Sequence, residues 1–329
     1  MKDDARLCVL KALEVAGGDF VSGAGLSHGL KVSRTSIWKH VRALQEQGYI
    51  IESRPHKGYR LISCPGTLSP LEIRKCLRAK VIGSEIQLIS RVGSTQDECF
   101  NLAQKGAGEG LVVMAEEQFG GRGRVGRSFF SPKGGLWFSF VLRPPLHPQV
   151  CMPISLLAGV ALSEAIRETT GLPAVLKWPN DILIRGRKAA GILTEIVAET
   201  DAVRFVVCGI GVNANVSEEK FPVELRPIAT SLSSELGHEV SARELLVRIL
   251  EKLDHYYLEM LSHGAKAILE AWRTNPNVLG SRIQVTSLNE KVEGTAVALD
   301  EDGALLVRTD DGLCRRVIAG DVVLKERQP

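Results

Sequence analysis

The hydrophobic positions of the first 50 residues repeat with the period of a helix. Apolar residues recur every three or four positions in residues 5–16, which predicts an amphipathic helix that ends at Gly17. A shorter helix is predicted over Gly23–Leu30. A third begins after Ser33, whose hydroxyl suits an N-cap, and ends near Gly48. The apolar side chains expected on the buried faces of the first and third helices are Leu7, Leu10, Leu13, Val15, Ile37, Val41 and Leu44.

Two strand-like runs follow, in "YIIESRPHKGYRLIS", with the basic segment Arg54–Gly58 between them. This pattern predicts a β-hairpin with a basic tip. Three helices followed by such a hairpin are typical of a winged helix-turn-helix. The next stretch, "PGTLSP" (Pro65–Pro70), has the composition of a linker and predicts that a separate domain begins beyond it.

Strand-like and helix-like runs alternate after the linker. Several predicted strands are joined by very short turns, so antiparallel pairing is expected and a purely parallel sheet is not. The body is therefore predicted to be α+β, with helices against one mixed sheet. The predicted strands are Ile86–Ser90, Leu111–Ala115, Leu136–Leu142, Ala174–Lys177, Ile182–Ile184, Ala189–Ile196 and Phe205–Val212, and the predicted helices are Thr95–Gln104, Ile154–Thr169 and Ala242–Ser262.

The last segment, Leu279–Lys325, consists of short alternating strands. Asp-Gly pairs at Asp302-Gly303 and Asp311-Gly312 are typical of tight turns between strands. The pattern predicts a small β-domain and suggests an SH3-like barrel.

Composition narrows the class of protein. The chain has 329 residues and 44% hydrophobic residues, enough for about two domains, or three if some are small. Its seven scattered cysteines include no C-x-x-C pair and indicate reduced thiols. The N-terminal residues lack the apolar run of a signal peptide, and the most apolar helical stretch, Ile154–Ile166, is too short to span a bilayer. We expect a cytoplasmic protein that does not bind membranes.

Charge is distributed unevenly. Residues 1–65 carry a net charge of +4, whereas the remaining residues carry −1, so an anionic partner is expected for the first region alone. Basic faces are common on small helical domains, but a polar, basic third helix beside a basic wing favours DNA binding. Whether Trp38 packs inside or sits against the DNA backbone is left open. The predicted DNA-binding residues are Arg34, Thr35, Lys39, Arg42, Arg54 and Lys57, with His56 adding to the wing.

The loop "GGRGRVGRS", Gly120–Ser128, matches three phosphate-binding patterns at once. A P-loop or a dinucleotide fingerprint must lead into a helix, but here "FFSPKGGLWFSFVL" leads into a strand. A kinase glycine loop would need further motifs that the chain lacks. The remaining interpretation is a glycine-rich connection whose three arginines, Arg122, Arg124 and Arg127, have no acid in the loop. Such a loop suits a ligand with carboxylate and phosphate groups.

Two other polar stretches accompany this loop. In "KWPNDILIRGRKAAGILTEI", Lys177 stands at the lip of an apolar strand, where it either snorkels to solvent or faces an anion. In "CGIGVNANV", Gly209 and Gly211 leave the strand bare, so that another group can approach its backbone.

Five motifs occur in one order along the chain: "STQDE", "EEQFGGRGRVGRSF", "KWPND", "GRKAAGILTE" and "GIGVN". In order and spacing they resemble the bifunctional biotin protein ligase and biotin-operon repressor family, and the resemblance covers essentially the whole chain. It implies a winged helix-turn-helix over 1–64, a biotin/ATP catalytic domain of the biotin/lipoate ligase type over 65–276, and an SH3-like β-barrel over 277–329. The implied fold class is a multidomain α+β protein.

The resemblance also implies a reaction. Biotin and ATP with Mg²⁺ would form biotinyl-5′-AMP and pyrophosphate, and a lysine of a biotin carboxyl carrier protein would then attack the adenylate. With the adenylate bound, the chain would form a homodimer on operator DNA and repress biotin-synthesis genes. Neither a permanently bound cofactor nor a fixed protein-only metal site is implied.

Family roles fall on named positions of this chain. Lys188, Arg124 and Asp181 would be catalytic, with Lys188 neutralising charge between the biotin carboxylate and the α-phosphate. The arginine–glycine loop would act as a lid that keeps water from the adenylate. The implied residues for biotin and adenylate are Ser94, Thr95, Gln96, Gln118, Arg122, Gly123, Arg124, Asn180, Lys188 and Asn213.

The chain departs from the family at four positions. Gln96 replaces a common asparagine, Val125 and Ser128 replace basic residues, and Phe129 replaces a frequent tryptophan. We expect these changes to affect adenylate retention and lid closure rather than the chemistry. Two rival hypotheses are a sensor-repressor with weak catalysis and a lipoate-type ligase.

Overall fold

The computed structural model describes residues 2–46, 48–63, 68–151, 153–274, 278–287 and 290–325, without the side chains of residues 2–4, 149 and 150. The protein divides into two compact units, Met1–Cys76 and Leu77–Pro329. The described residues do not include Pro65–Thr67 of the predicted linker. They also do not include the residues at the two predicted domain boundaries, 64/65 and 276/277. The boundaries therefore stay predictions.

The first unit confirms the predicted winged helix-turn-helix. The Ser33 hydroxyl accepts a hydrogen bond from the Ser36 amide at 3.1 Å and caps the third helix, and the two strands pair antiparallel. The helix buries Ile37, Val41 and Leu44 as predicted. The elements of this unit are α1 (Lys2–Val15), α2 (Gly23–Leu30), α3 (Arg34–Glu46), β1 (Ile50–Arg54), β2 (Gly58–Ser63) and α4 (Pro70–Cys76).

Two details of this unit differ from the sequence prediction. Val15 is 88% exposed, because it follows Leu13 by two residues and so points to the opposite side of α1. The second difference is α4, which was not predicted. Leu71 of α4 belongs to the core of the first unit, and the Tyr49 hydroxyl donates to Glu72 Oε1 at 3.2 Å.

The second unit is built on a seven-stranded mixed sheet with the order β3-β4-β5-β9-β8-β7-β6. Only β3 and β4 pair in parallel, which confirms the predicted mixed sheet. Every strand and helix predicted for this region is present. The strands are β3 (Glu85–Val92), β4 (Leu111–Gln118), β5 (Leu136–Leu142), β6 (Ala174–Lys177), β7 (Asp181–Ile184), β8 (Arg187–Ala198) and β9 (Val203–Val212).

Helices cover this sheet. The apolar α6 packs against β6 and α8 and is buried along most of its length. Asp254 of α8 is buried and accepts hydrogen bonds from the amides of Lys80, Val81 and Ile82 at 2.8–2.9 Å, which fixes the start of the unit. The helices are α5 (Thr95–Gln104), α6 (Ile154–Thr170), α7 (Leu232–Leu236), α8 (Ala242–His263) and α9 (Lys266–Arg273); α7 and α9 were not predicted.

Five antiparallel strands form the predicted SH3-like C-terminal domain, in the order β13-β12-β11-β10-β14. Gly303 and Gly312 have φ values of 85° and 82° in the predicted Asp-Gly turns. The Trp178 indole donates to the carbonyl of Gly303 at 3.1 Å and so ties this domain to the large sheet. The strands are β10 (Arg282–Thr286), β11 (Lys291–Leu299), β12 (Leu305–Arg308), β13 (Cys314–Val317) and β14 (Asp321–Leu324). Within the described residues, no helix is long and apolar enough to cross a membrane.

Candidate active site

A cavity lies between the glycine–arginine loop and the strands β7, β8 and β9. The N-terminus of α5 and the end of β4 close one side, and β14 contributes one residue. The structure thus brings together side chains that lie far apart in sequence, from Ser94 to Asp321. The predicted site residues that line this cavity are Ser94, Thr95, Gln96, Gln118, Arg122, Gly123, Arg124, Asn180, Asp181 and Lys188.

One end of the cavity is built from neutral polar groups. Ser94 caps α5 by accepting from the amide of Gln96 at 3.2 Å. The Gln118 amide oxygen accepts from the backbone N–H of Thr95 at 2.7 Å, and the Thr95 hydroxyl is 2.9 Å from that of Ser139. These side chains are held in fixed positions and offer both donors and acceptors, which suits a neutral polar ligand group.

Gln96 carries an unsatisfied acceptor at the same end. Its amide nitrogen donates to Glu195 Oε2 at 2.9 Å and to the Val207 carbonyl at 3.2 Å, but among the described residues its buried Oε1 has no partner. A Cβ added at Gly209 would lie only 2.4 Å from this oxygen. The glycine is therefore required for Gln96 to occupy its place, and the free oxygen can accept from a ligand N–H.

Arg122 is paired with acids that lie outside its loop. Its guanidinium donates to Asp97 at 2.5 Å and to Glu195 at 2.8 Å. Burial lowers the pKa of Arg122, but these bonds and charges outweigh burial and raise the pKa above its ordinary value. Arg122 therefore fastens the loop to α5 and β8.

Lys188 of β8 and Arg124 of the glycine–arginine loop both bring positive charge to the cavity. Lys188 Nζ lies 2.6 Å from Asp181 Oδ1 on the neighbouring strand. Arg124 donates to Asn180 Oδ1 at 3.0 Å. Burial lowers the pKa of Arg124 from its ordinary value, and the charges of Asp321 and Asp181 oppose that shift. Two basic side chains that line one cavity suit a ligand with two neighbouring anionic groups.

Phe129 lies on a floor of two glycines. Gly191 and Gly211 face each other across β8 and β9, and a Cβ on either would lie within 3 Å of the Phe129 ring. Lys188 Nζ is 5.5 Å from the ring centroid. The prediction that another group approaches the backbone at Gly209 and Gly211 is confirmed, since Gln96 and Phe129 are those groups.

The cavity lining includes Asp321, which sequence reasoning missed. Arg127 of the loop forms an ion pair with Asp321 at the start of β14. Because the two residues are 194 positions apart, no local motif signals their contact. In the same loop, Val125 has a φ of 54°, a left-handed conformation that is rare for a β-branched residue.

Asn213 lies outside the cavity lining. Its side-chain amide donates to the carbonyl of Thr230 at 2.9 Å and to that of Lys188 at 3.4 Å. It contacts the backbone of the predicted catalytic lysine rather than the cavity. Within the described part of the chain, no group of three or more His, Cys, Asp or Glu side chains could hold a metal ion.

A second candidate site is the surface of the first unit. The predicted DNA-binding residues of α3 and the wing are all exposed. Arg54, however, pairs with Glu52 at 2.6 Å and lies over the ring of Phe20. Trp38 is 50% exposed, so it does not pack in the core.

The chain is similar in sequence and in structure to proteins of known families. Residues 88–213 match the biotin/lipoate A/B protein ligase family, residues 278–325 match the biotin protein ligase C-terminal domain, and residues 6–60 match a helix-turn-helix domain. A bifunctional ligase/repressor BirA of Bacillus subtilis is 38% identical over 98% of this chain and 100% of its own length, and its Escherichia coli counterpart is 28% identical over both full lengths. The structure of an Aquifex aeolicus biotin protein ligase in complex with biotin and ATP has 28% identity and a TM-score of 0.64, covering 74% of this chain and 99% of that one.

Proposed function

This chain belongs to the family of bifunctional biotin protein ligases and repressors, and we propose that its cavity performs both half-reactions of biotin transfer. The first would join biotin to ATP to give biotinyl-5′-AMP and pyrophosphate. In the second, a lysine amine of a biotin carboxyl carrier protein would attack the biotinyl carbonyl, form an amide and release AMP. The observation that carries this proposal is the convergence of Lys188 and Arg124 on one cavity beside a neutral polar pocket.

The polar pocket would hold the ureido ring of biotin. Ser94, Thr95 and Gln118 offer fixed donors and acceptors for its N–H and C=O groups, and the free Gln96 Oε1 offers one more acceptor. Arg122 would act mainly as a tie between the loop and the floor, because two carboxylates already compensate its charge.

Lys188 would promote the first half-reaction. The biotin carboxylate must attack the α-phosphate of ATP, and two anions repel each other unless a cation lies between them. Lys188 would exchange Asp181 for these anions, and Arg124 would hold the resulting phosphate under the lid. The carboxylate oxygen forms a bond to phosphorus as the bond to pyrophosphate breaks.

Mg²⁺ would enter with ATP rather than bind a preformed protein site. Mg²⁺ is commonly held by one or two carboxylates together with substrate phosphates, and the cavity offers the Asp181 carboxylate with the Asn180 amide oxygen beside it. The bound ion would neutralise phosphate charge.

The adenylate would also govern the repressor unit. In this proposal a bound adenylate favours a homodimer that binds operator DNA and represses biotin-synthesis genes in the cytoplasm. The exposed cations of α3 and the wing support DNA binding by this unit. Dimerisation and operator binding must then strengthen each other reciprocally.

Transfer of labelled biotin tests the enzymatic half. The full chain, Mg-ATP, biotin and a purified carrier domain should label the carrier's lysine, whereas lipoate or octanoate should not be transferred. Binding of biotin without any transfer would support the sensor-repressor instead, and transfer of lipoate would support the lipoate-type ligase. Sedimentation with and without biotin and ATP tests dimerisation, and an unchanged mass would contradict it.

A further inference from the structure

Trp38 differs from the other tryptophans of the chain. Trp137, Trp178 and Trp272 are at most 2% exposed, whereas Trp38 on α3 is 50% exposed. A large aromatic side chain left half in water is a frequent mark of a binding surface, because covering it is favourable.

The neighbours of Trp38 on the helix surface are polar or positive. Arg34 and Arg42 lie one turn before and after it, and both are exposed with Thr35 and Lys39. No acidic residue stands among these positions, and none of Arg34, Lys39 and Arg42 forms an ion pair with another described residue. A lone apolar ring surrounded by cations complements a surface that presents both phosphates and apolar groups.

The ring is also held in place. The Arg42 guanidinium lies 5.2 Å from the Trp38 ring centroid, within the range of a cation–π contact. This contact covers one face of the ring and leaves the remainder accessible. Trp38 is therefore positioned before any ligand binds.

We propose that Trp38 reads the operator by packing against the C5-methyl group of a thymine in the major groove. Trp38 lies in the first half of α3, the part of a recognition helix that contacts base edges. The thymine methyl is the one apolar group on the major-groove edges of the bases, and cations around the ring would bind the flanking phosphates. This inference rests on the proposed operator binding.

The probe is a duplex enriched from a random 40-base-pair library by the wild-type full chain with biotin and Mg-ATP, compared with a scrambled duplex. Trp38→Ala should weaken binding of the enriched duplex about tenfold, as expected for loss of one good base contact, and binding of the scrambled duplex by less than about twofold. Trp38→Phe should retain most of the affinity. Val15→Ala, which alters an exposed apolar residue of α1, is the matched control and should bind as wild type.

Replacing thymine with deoxyuridine in the enriched duplex removes only the methyl group. At one or two positions this should weaken wild-type binding several-fold and leave Trp38→Ala unaffected. Equal loss in both proteins would overturn the proposal, as would unchanged operator affinity of Trp38→Ala or an equal loss on scrambled DNA.

Two further outcomes separate this inference from what it rests on. If Trp38→Ala instead changed adenylate-dependent self-association without DNA, the ring would be a protein contact and the proposal would fail. If the wild type enriched no duplex, the proposed operator binding would itself fail. Binding of the scrambled duplex by Trp38→Ala within about twofold of wild type would show that its first unit is folded, because biotin transfer reports only on the second unit.

Discussion

The lining of the cavity and the surface of α3 are both rich in arginine and lysine. The two regions differ in whether these cations are paired with carboxylates. In the cavity, Arg122, Arg127 and Lys188 each pair with a carboxylate from another element. On the first unit, Arg34, Lys39, Arg42 and Lys57 are exposed, and no described acidic side chain pairs with them.

This difference separates two kinds of anion binding. Paired cations are fixed in direction, and a ligand must displace a carboxylate to reach them, which favours a specific small molecule. Unpaired, solvated cations attract a polyanion with little dependence on its exact structure, and salt weakens that attraction.

Removal of the cation at the reacting centre should have the largest effect. Lys188→Ala should slow biotin transfer by about a thousandfold, because the repulsion between carboxylate and phosphate would be left uncompensated. Lys177→Ala is the matched control, since Lys177 lies on β6, two strands away from Lys188 on β8, and outside the cavity lining. The measurement is the initial rate of label transfer to the carrier domain. Similar rates for the two variants would contradict the role of Lys188.

Loss of the lid arginine should impair retention more than chemistry. Arg124→Ala removes the bond to Asn180 and should increase release of biotinyl-5′-AMP into solution by roughly tenfold. Release is measured by trapping free adenylate after rapid gel filtration. Arg91→Ala, an exposed arginine on β3, should retain adenylate as wild type does. Equal release by both variants would show that Arg124 does not close the lid.

The salt dependence of DNA binding and of biotin transfer should distinguish the two regions directly. Between 50 and 200 mM salt, operator affinity should fall steeply, whereas the rate of biotin transfer should change little. Lys39→Ala should reduce the slope of log affinity against log salt by about one, as expected for one lost phosphate contact. Lys11→Ala on α1 should leave the slope unchanged. A transfer rate as salt-sensitive as DNA binding would remove the contrast.

The smallest effect is expected at Arg54, a predicted DNA-binding residue that pairs with Glu52. Hydrogen bonds from Arg60 and Arg54 hold the pKa of Glu52 below its ordinary value, so Glu52 is ionised at neutral pH and compensates Arg54. Glu52→Gln should therefore strengthen DNA binding, but by only about twofold, because exposed ion pairs are weak. Gel-shift titration measures this change, and weaker binding would show that Glu52 instead orients the wing.

Local patterns were sufficient to predict most elements, whereas the individual site residues were named from the family resemblance. The glycines of "CGIGVNANV" indicated close approach to a strand, and Phe129 and Gln96 fill that space. Sequence context also excluded the three nucleotide-loop interpretations. A P-loop and a dinucleotide fingerprint are excluded because β5 rather than a helix follows the loop, and a kinase loop because the chain lacks the other kinase motifs.

Long-range pairing could not be predicted in the same way. The loop contains no acid, but its arginines find Asp97, Glu195 and Asp321 on three other elements. Such contacts depend on how the sheet and the C-terminal domain pack against each other. The hydrophobic periodicity of the sequence contains no information about that packing. The same reason explains α4, a short helix that gains stability from the core that Leu71 enters rather than from its own sequence.

The most direct test of the account is a single-turnover measurement of biotinyl-5′-AMP formation with excess enzyme and labelled biotin, without carrier protein. The wild type and Lys177→Ala should form the adenylate at the same rate, and Lys188→Ala should form it about a thousandfold more slowly. Adenylate formation by Lys188→Ala at the wild-type rate would show that the paired cations of the cavity do not promote the reaction.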